Sequence, residues 1–324
     1  MRKYLVTGVA GFIGSAIVRA LIEQGSEVRG FDDLSTGKRD NIAGLTGDLD
    51  FREVSLLDTA GTAAACQGVE CIFHEAAMPS VPKSVAEPKL TNSVNIEGTL
   101  NLLIAARDAG VKRVVYAASS SAYGESEVLP KREDMVPHPI SPYATQKLAG
   151  EHYMHAFSKV YGLETVSLRY FNVFGPRQDA KSQYSAVLAS FITQMLQARS
   201  PTIFGDGEQS RDFTYVDNAV QANLLASEAP AGDVSGKVFN VATGVRHSLN
   251  RTYEMLQGII GFSGAPHYAP ARAGDVKHSL ADIALAQRYL KYSPGVGFED
   301  GLRRTVDWYR QLSARDLSRA TVVR

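Results

Sequence analysis

KYLVTGVAGFIGS, residues 3–15, decides how the rest of the chain is read. An apolar run stops at Thr7, Gly8, Gly11 and Gly14 follow, and helical periodicity starts within the same stretch. That is the order of a buried strand, a tight turn and a helix. A glycine-rich turn at such a junction lets the backbone approach a pyrophosphate, whose charge the helix N-terminus stabilises. A bare glycine triad also serves a purely structural turn, so its meaning depends on what surrounds it.

The next apolar run, SEVRGF, leads into Asp32 and Asp33. They lie about 20 residues beyond the glycines, where an acid takes the ribose hydroxyls of a bound dinucleotide. Asp32, at the strand's end, is the better placed. A carboxylate there repels a 2′-phosphate, so the expected cofactor is NAD. Asp58, after REVSLL, either contacts the adenine or caps the helix that begins there.

KYLVTG, SEVRGF, CIFHEA and KRVVYAASS read as buried strands, separated by segments of helical periodicity. The alternation predicts an α/β protein with a Rossmann-type, doubly wound parallel sheet. Beyond GLETVSLRYFNVFGP the pattern becomes irregular. It holds loops such as GPRQDAKSQY and FGDGEQSRDF, a helix near VDNAVQANLLAS, a strand KVFNVA and further helices. Residues 1–173 are therefore expected to form the nucleotide-binding domain. Residues 174–324 should form mainly a smaller, interleaved substrate-binding lobe, with some elements returning to the sheet.

The 324-residue chain carries 34 Lys and Arg against 34 Asp and Glu, with no basic run, which argues against a nucleic-acid partner. Its two cysteines, Cys66 and Cys71, fit neither a redox pair nor a zinc knuckle. They read as buried apolar residues in a reducing compartment, and no metal site is expected. MRKYLVTGVAGFIGSAIVRAL resembles a signal peptide only superficially, because glycines at helical spacing and a charged continuation favour strand, turn and helix. No stretch reaches the roughly 18 apolar residues of a membrane helix. The expectation is a cytoplasmic protein without a membrane partner.

SPYATQK, residues 141–147, places Tyr143 and Lys147 on one helix face. A neighbouring ammonium and a cationic nicotinamide would lower a phenol that ionises near pH 10, making Tyr143 a base. Upstream, YAASSSAYGE offers Ser119, Ser120 and Ser121 where a strand ends, the place at which open α/β sheets bind ligands.

With these features in order, the chain resembles the extended short-chain dehydrogenase/reductase family, and within it the nucleotide-sugar 4-epimerases. The resemblance is carried by TGVAGFIGS, HEAAMPSVPKS, SSSAYGE, SPYATQK, RYFNVFGPRQ, GDGEQSRDFTYVDN and ARAGDVKHSLAD, which span nearly the whole chain. It implies that Tyr143 is the acid/base, that Lys147 binds the nicotinamide ribose and tunes the tyrosine, and that Ser119 or Ser120 is the hydroxyl partner. It implies NAD contacts from Gly8, Gly11, Phe12, Ile13, Gly14, Asp32, Asp58, Ala76 and Ala77, besides Tyr143 and Lys147. For a UDP-sugar substrate it implies Ser80, Ser120, Asn172, Ala186, Val187, Arg211, Arg272, Asp275 and Ser279. The arginines suit the diphosphate because a planar fork meets phosphate oxygens bidentately.

Similar enzymes that eliminate water from the sugar carry an Asp-Glu pair just after the active hydroxyl. SSSAYG has none, so the resemblance implies an isomerase instead. Tyr143 takes the 4-hydroxyl proton as hydride passes from C4 to NAD, the 4-keto sugar turns over, and hydride returns to the other face. Ser279 occupies the position that gates the pocket around the C2 substituent. A small residue there leaves room for an acetamide, implying UDP-GlcNAc/UDP-GalNAc interconversion, with UDP-Glc/UDP-Gal also accepted.

A UDP-glucuronate 4-epimerase or decarboxylase shares this scaffold, with Arg177 or Lys83 to hold a carboxylate. A non-catalytic NAD-binding sensor protein is a further alternative. His74, ending a strand, reads as a packed histidine, His155 as a surface residue and Trp308 as a packing residue on a terminal helix. Relatives pair through two long helices, here NSVNIEGTLNLLIAARDAG and SPYATQKLAGEHYMHAFSKVYG, which implies a homodimer.

Overall fold

The computed structural model describes residues 2–45, 49–179, 187–271 and 277–312. Ala186, Arg272 and Asp275 lie outside them.

Strand β1 (Lys3–Thr7) is buried from Tyr4 onward, as a strand covered on both faces requires. It passes into α1 (Phe12–Glu23), whose buried Ile17, Val18 and Leu21 share the face turned to the core. The chain continues through β2 (Glu27–Asp32), β3 (Leu49–Glu53), α2 (Thr59–Cys66) and β4 (Cys71–His74). Two short helices, α3 (Val81–Ala86) and α4 (Pro88–Asn92), lead by a π-helical turn, Ser93–Glu97, into α5 (Gly98–Asp108). Then come β5 (Arg113–Ser119), α6 (Pro142–Tyr161) and β6 (Glu164–Tyr170).

These strands and Lys237–Val241 form one seven-stranded sheet, ordered β3, β2, β1, β4, β5, β6 and Lys237–Val241, with every neighbouring pair parallel. The strand order reverses direction between β1 and β4, which opens a crevice at their carboxyl ends. β1 pairs with β2 from Lys3↔Glu27 to Thr7↔Phe31 and with β4 from Tyr4↔Cys71 to Thr7↔His74. That register brings the ends of all three strands level with the glycine turn.

Of the residues after 174, α7 (Val187–Leu196) is followed by α8 (Val216–Glu228), which packs against α1 on one face of the sheet. α2, α5 and α6 cover the other face. Ile17, Val18 and Leu21 share one core with Ala219, Ala222 and Ala226. Leu102, Leu103, Ala106, Met154 and Phe157 share the second. Cys66 and Cys71 are free and buried, and burial pushes both thiols up to about 12.

The rest of the second half is held by short pairings. Ser210–Asp212 lies antiparallel to Arg246–Ser248, and Thr214–Tyr215 lies parallel to Val173–Phe174. Asp212 is fully buried and anchors this region. Its carboxylate accepts from Thr243 N (2.9 Å), Thr243 Oγ1 (2.8 Å), Gly244 N (3.0 Å) and Ala281 N (3.2 Å), bonds that answer the cost of burying a charge. No helix among the described residues is long and apolar enough to cross a membrane.

Candidate active site

The glycine turn has the shape a pyrophosphate needs. Gly8 adopts φ +67°, and a Cβ on it would lie 2.8 Å from Ala76 Cα, while one on Gly14 would lie 2.2 Å from the Gly8 carbonyl. Only glycine lets the turn pass this close to the extension of β4 and lets α1 start so close to the turn. No side chain caps α1, so its first-turn N–H groups face the crevice without a competing acceptor. Phe12 and Ile13 open the helix, partly buried.

Asp32 ends β2 with its carboxylate held by the loops beside it. Oδ2 accepts from Ala10 N (3.0 Å) and Oδ1 from Leu34 N (2.8 Å), and burial raises the carboxyl. Each oxygen retains a lone pair for a ribose hydroxyl. The turn, the uncapped helix and the carboxylate together fit a dinucleotide with a free 2′-hydroxyl. Asp58 is exposed and caps α2, its Oδ1 accepting from Gly61 N at 3.0 Å.

His74 is locked in one neutral tautomer. Thr99 donates its hydroxyl proton to Asn95 O (2.7 Å), so it must accept from His74 Nε2 (3.0 Å). His74 Nδ1 then accepts from Thr7 Oγ1 (2.8 Å), which in turn accepts from Ala76 N (3.1 Å). Burial and the Lys147 charge push the imidazole down to about 3. It is a packed histidine that holds Ala76, and with it the edge of the crevice, in place. His155 is exposed, 3.0 Å from the Gly236 carbonyl, and Trp308 packs edge-on against Tyr309.

At the end of β5, the hydroxyl of Ser119 accepts from Ser121 N (3.2 Å) and Ser121 Oγ (2.8 Å). Its own proton is therefore free to donate, and Ser119 eases ionisation of the Tyr143 phenol. Of Ser119 and Ser120, Ser119 is the one that acts on the phenol's ionisation; Ser120 starts the turn that follows.

Tyr143 and Lys147 occupy the first turns of α6, which Ser141 caps by accepting from Ala144 N at 3.2 Å. Lys147 is buried. Its ammonium donates to Ala117 O (2.8 Å) and lies 4.9 Å from the Tyr116 ring centroid. The lowering of the phenol expected from this ammonium is outweighed in the structure. Burial pushes Tyr143 up to about 12; Ser119 eases this and the Glu75 charge adds to it. The ammonium itself is engaged by the Ala117 carbonyl and the Tyr116 ring, and burial lowers it.

Several residues that hold these elements together were not singled out in the sequence. Ser84 Oγ accepts from Tyr143 N (3.0 Å) and donates to Val81 O (2.7 Å), tying α6 to α3. Gln146 accepts from Asn95 Nδ2 (2.8 Å) and donates to Thr91 Oγ1 (3.0 Å), while Asn95 Oδ1 accepts from Met78 N (2.8 Å). These bonds fix the turn of helix that carries Tyr143. Glu75, directly after β4, accepts from Tyr170 at 2.9 Å, and burial raises it. A charged residue inside CIFHEA was the available signal.

Ser80 caps α3, accepting from Lys83 N at 3.2 Å. Asn172, at φ +39°, donates to Asp212 O (3.0 Å), and its amide nitrogen is 3.5 Å from Ser279 Oγ. The Ser279 N–H donates to Ser210 O (3.0 Å), and Arg211 donates to Ser210 O (3.0 Å) and Lys277 O (3.1 Å). Asn172, Arg211 and Ser279 are thereby brought together. Val187 begins α7, partly buried.

Residues 4–242 match the NAD dependent epimerase/dehydratase family. The chain is 39% identical to the UDP-glucose 4-epimerase of Mycolicibacterium smegmatis, over 96% of this chain and 99% of that protein. Among solved structures it resembles the UDP-glucose 4-epimerase of Thermotoga maritima with UDP-glucose, at 41% identity and TM-score 0.90, covering 95% of this chain and 99% of that one. It also resembles the UDP-N-acetylglucosamine 4-epimerase of Methanobrevibacter ruminantium in complex with UDP-N-acetylmuramic acid. There the identity is 42% and the TM-score 0.91, covering 95% of this chain and 98% of that one. With the glycine turn, the strand-end carboxylate and the Ser119–Tyr143–Lys147 arrangement all on one crevice, the chain belongs to the NAD dependent epimerase/dehydratase family.

Proposed function

We infer that the chain is an NAD-dependent UDP-sugar 4-epimerase, an isomerase that inverts C4 through a transient 4-keto sugar. The observation that carries this reading is Tyr143 and Lys147 on successive turns of α6, both buried towards the end of β5, where Ser119 eases ionisation of the phenol. NAD supplies a hydride acceptor and a positively charged ring when bound. The Gly8 turn, the N-terminus of α1 and Asp32 would hold it, with Lys147 as the candidate donor to its nicotinamide ribose.

Tyr143 takes the proton of the 4-hydroxyl as its phenolate, a form that burial disfavours and that Ser119 and the positive ring of bound NAD would favour. The same proton returns from Tyr143 to the 4-oxygen when the sugar is reduced from the opposite face, so the net reaction consumes nothing. Ser120 and Ser121 stand where a dehydrating relative carries its Asp-Glu pair, which supports epimerisation over loss of water.

The preferred substrates are UDP-GlcNAc and UDP-GalNAc, with UDP-glucose and UDP-galactose also turned over. Support comes from Ser279, whose small side chain beside Asn172 leaves space for an acetamide. The residues after 174 supply this side of the pocket as a substrate lobe. Exposed apolar Leu90 and Ile104 on α4 and α5, with Val160 and Tyr161 on α6, support a homodimer paired through these helices. Free, buried Cys66 and Cys71 suit a cytoplasmic setting.

The test incubates the protein separately with UDP-GlcNAc, UDP-glucose and UDP-glucuronate, without added cofactor, and follows the C4 configuration by NMR. Wild type forms the 4-epimer and Tyr143→Phe does not. Equal absence of product in both, even with NAD supplied, overturns the reading.

A further inference from the structure

Asn240 is fully buried in Lys237–Val241, the strand that ends the sheet beside β6, and the chemistry above makes no use of it. Its side-chain Nδ2 donates to Lys131 O (2.9 Å) and to Asp282 O (3.0 Å). Both carbonyls can only accept, which fixes the orientation of the amide. Asn240 Oδ1 therefore accepts, and its donor is the Tyr123 hydroxyl at 2.7 Å. The backbone N–H of Asn240 donates to the Glu133 carboxylate at 2.7 Å. One buried residue thus ties together parts of the chain that are far apart in sequence.

The partners lead to two places. Tyr123 closes the short turn Ser120–Tyr123 that follows Ser119. Its ring lies under the Arg169 guanidinium, 4.6 Å from the ring centroid, and Glu151 of α6 holds that guanidinium at 2.9 and 2.7 Å. The turn after Ser119 is thereby bound to the helix that carries Tyr143 and Lys147. Lys131 and Asp282 lead to Ser279. Lys131 N donates to Leu280 O (2.7 Å), and Asp282 N donates to Lys131 O (2.9 Å). On the other edge of the same stretch, Ser210 N donates to Lys277 O (3.0 Å) and Ser279 N to Ser210 O (3.0 Å). Residues 277–282 are thus laid between Ser210 and Lys131, with Ser279 inside the stretch. The Asn240 amide grips both sides of the Lys131 bridge.

We propose that Asn240 is a positioning residue for substrate selection, a buried amide that fixes the stretch carrying Ser279 relative to the turn after Ser119. What Ser279 selects rests on the epimerase reading above; the junction that holds it does not. Without the amide, the Tyr123 hydroxyl and two buried carbonyls lose a partner, so the stretch is expected to shift where it meets Lys131. A sugar whose acetamide fills the space beside Ser279 feels that shift more than a hexose that leaves the space empty.

The experiment compares wild type, Asn240→Ala and Tyr123→Phe. The first variant removes the side-chain junction, and the second removes one bond while keeping the ring under Arg169. In Asn240→Ala, kcat/KM for UDP-GlcNAc is expected to fall about tenfold more than that for UDP-glucose, the effect of one lost buried hydrogen bond, and chiefly through KM. Tyr123→Phe moves the ratio the same way by less, and decides alone if Asn240→Ala does not fold. Residue-resolved amide hydrogen exchange should show faster exchange at Lys131 and Asp282, with the amides of β1 unchanged. A merely structural role raises exchange throughout and lowers both rates alike. An unchanged ratio between the two sugars, or exchange raised equally along the chain, overturns the proposal. A wild type that epimerises no UDP-sugar overturns the epimerase reading instead, and the exchange measurement still decides whether Asn240 holds the stretch around Ser279.

Discussion

The amide of Asn172 and the hydroxyl of Ser279 lie 3.5 Å apart, although 107 residues separate them in the chain. The contact depends on the hub at Asp212, whose backbone carbonyl accepts from Asn172 and whose carboxylate holds Ala281 beyond Ser279. Ser279→Tyr would fill this corner of the crevice. Turnover of UDP-galactose is expected to persist while that of UDP-GlcNAc falls at least tenfold, equivalent to about 1.4 kcal/mol. Competition kinetics with both sugars check this, and equal loss of both would remove Ser279 from the specificity argument.

Removing the Ser119 hydroxyl takes away the group that eases ionisation of Tyr143 against burial. Ser119→Ala is expected to lower kcat by about 10²- to 10⁴-fold, the range for one positioned proton-transfer group, and to leave bound NAD in place. Ser120→Ala, on the turn that follows, should cost much less. Rates measured beside cofactor content after denaturation distinguish a chemical from a binding defect.

Asp32 accepts two backbone N–H bonds and still has capacity for ribose hydroxyls. Asp32→Ala should weaken NAD retention by about 1.5–3 kcal/mol, the range for a bond to a charged group, and narrow the preference for NAD over NADP. Fluorescence titration of the cofactor-free protein with each dinucleotide measures both.

His74 carries a pH signature in stability. Its folded-state value is pushed down to about 3 from 6.5, so below pH 6.5 the unfolded chain binds a proton that the folded chain refuses. Stability contributed by neutral His74 is present above pH 6.5 and is lost as the pH falls towards 3, by about 1.4 kcal/mol per unit. Thermal unfolding of wild type and His74→Asn should therefore differ most near neutrality and converge in acid. A constant gap would mean that His74 does not resist protonation.

The parts of the fold visible in the sequence are those written as local pattern. Continuous apolar runs marked β1, β2, β4 and β5, because strands covered on both faces show no alternation. The edge strand β3 was missed because only part of Leu49–Glu53 is buried, so its apolar signal is weak. Tyr143 and Lys147 were legible because one helix carries both. The bonds of Tyr143 to Ser84 and of Gln146 to Asn95 span 59 and 51 residues, and no local spacing encodes them. Ser119 stood out from Ser120 only once the strand end and the helix were seen together. Glu75 was not singled out in CIFHEA because its partner Tyr170 lies 95 residues away in the chain.

In the epimerisation inferred above, C4 loses its hydride to NAD and takes the same hydride back on the opposite face. The most direct measurement supplies UDP-GlcNAc or UDP-glucose deuterated at C4, in ordinary water without added cofactor, and locates the label by NMR after epimerisation. Deuterium is expected to stay on C4 in both epimers, since a hydride held on bound NAD does not exchange with water. Appearance of hydrogen at C4 in the product would mean that the proton is drawn from solvent, and would contradict it.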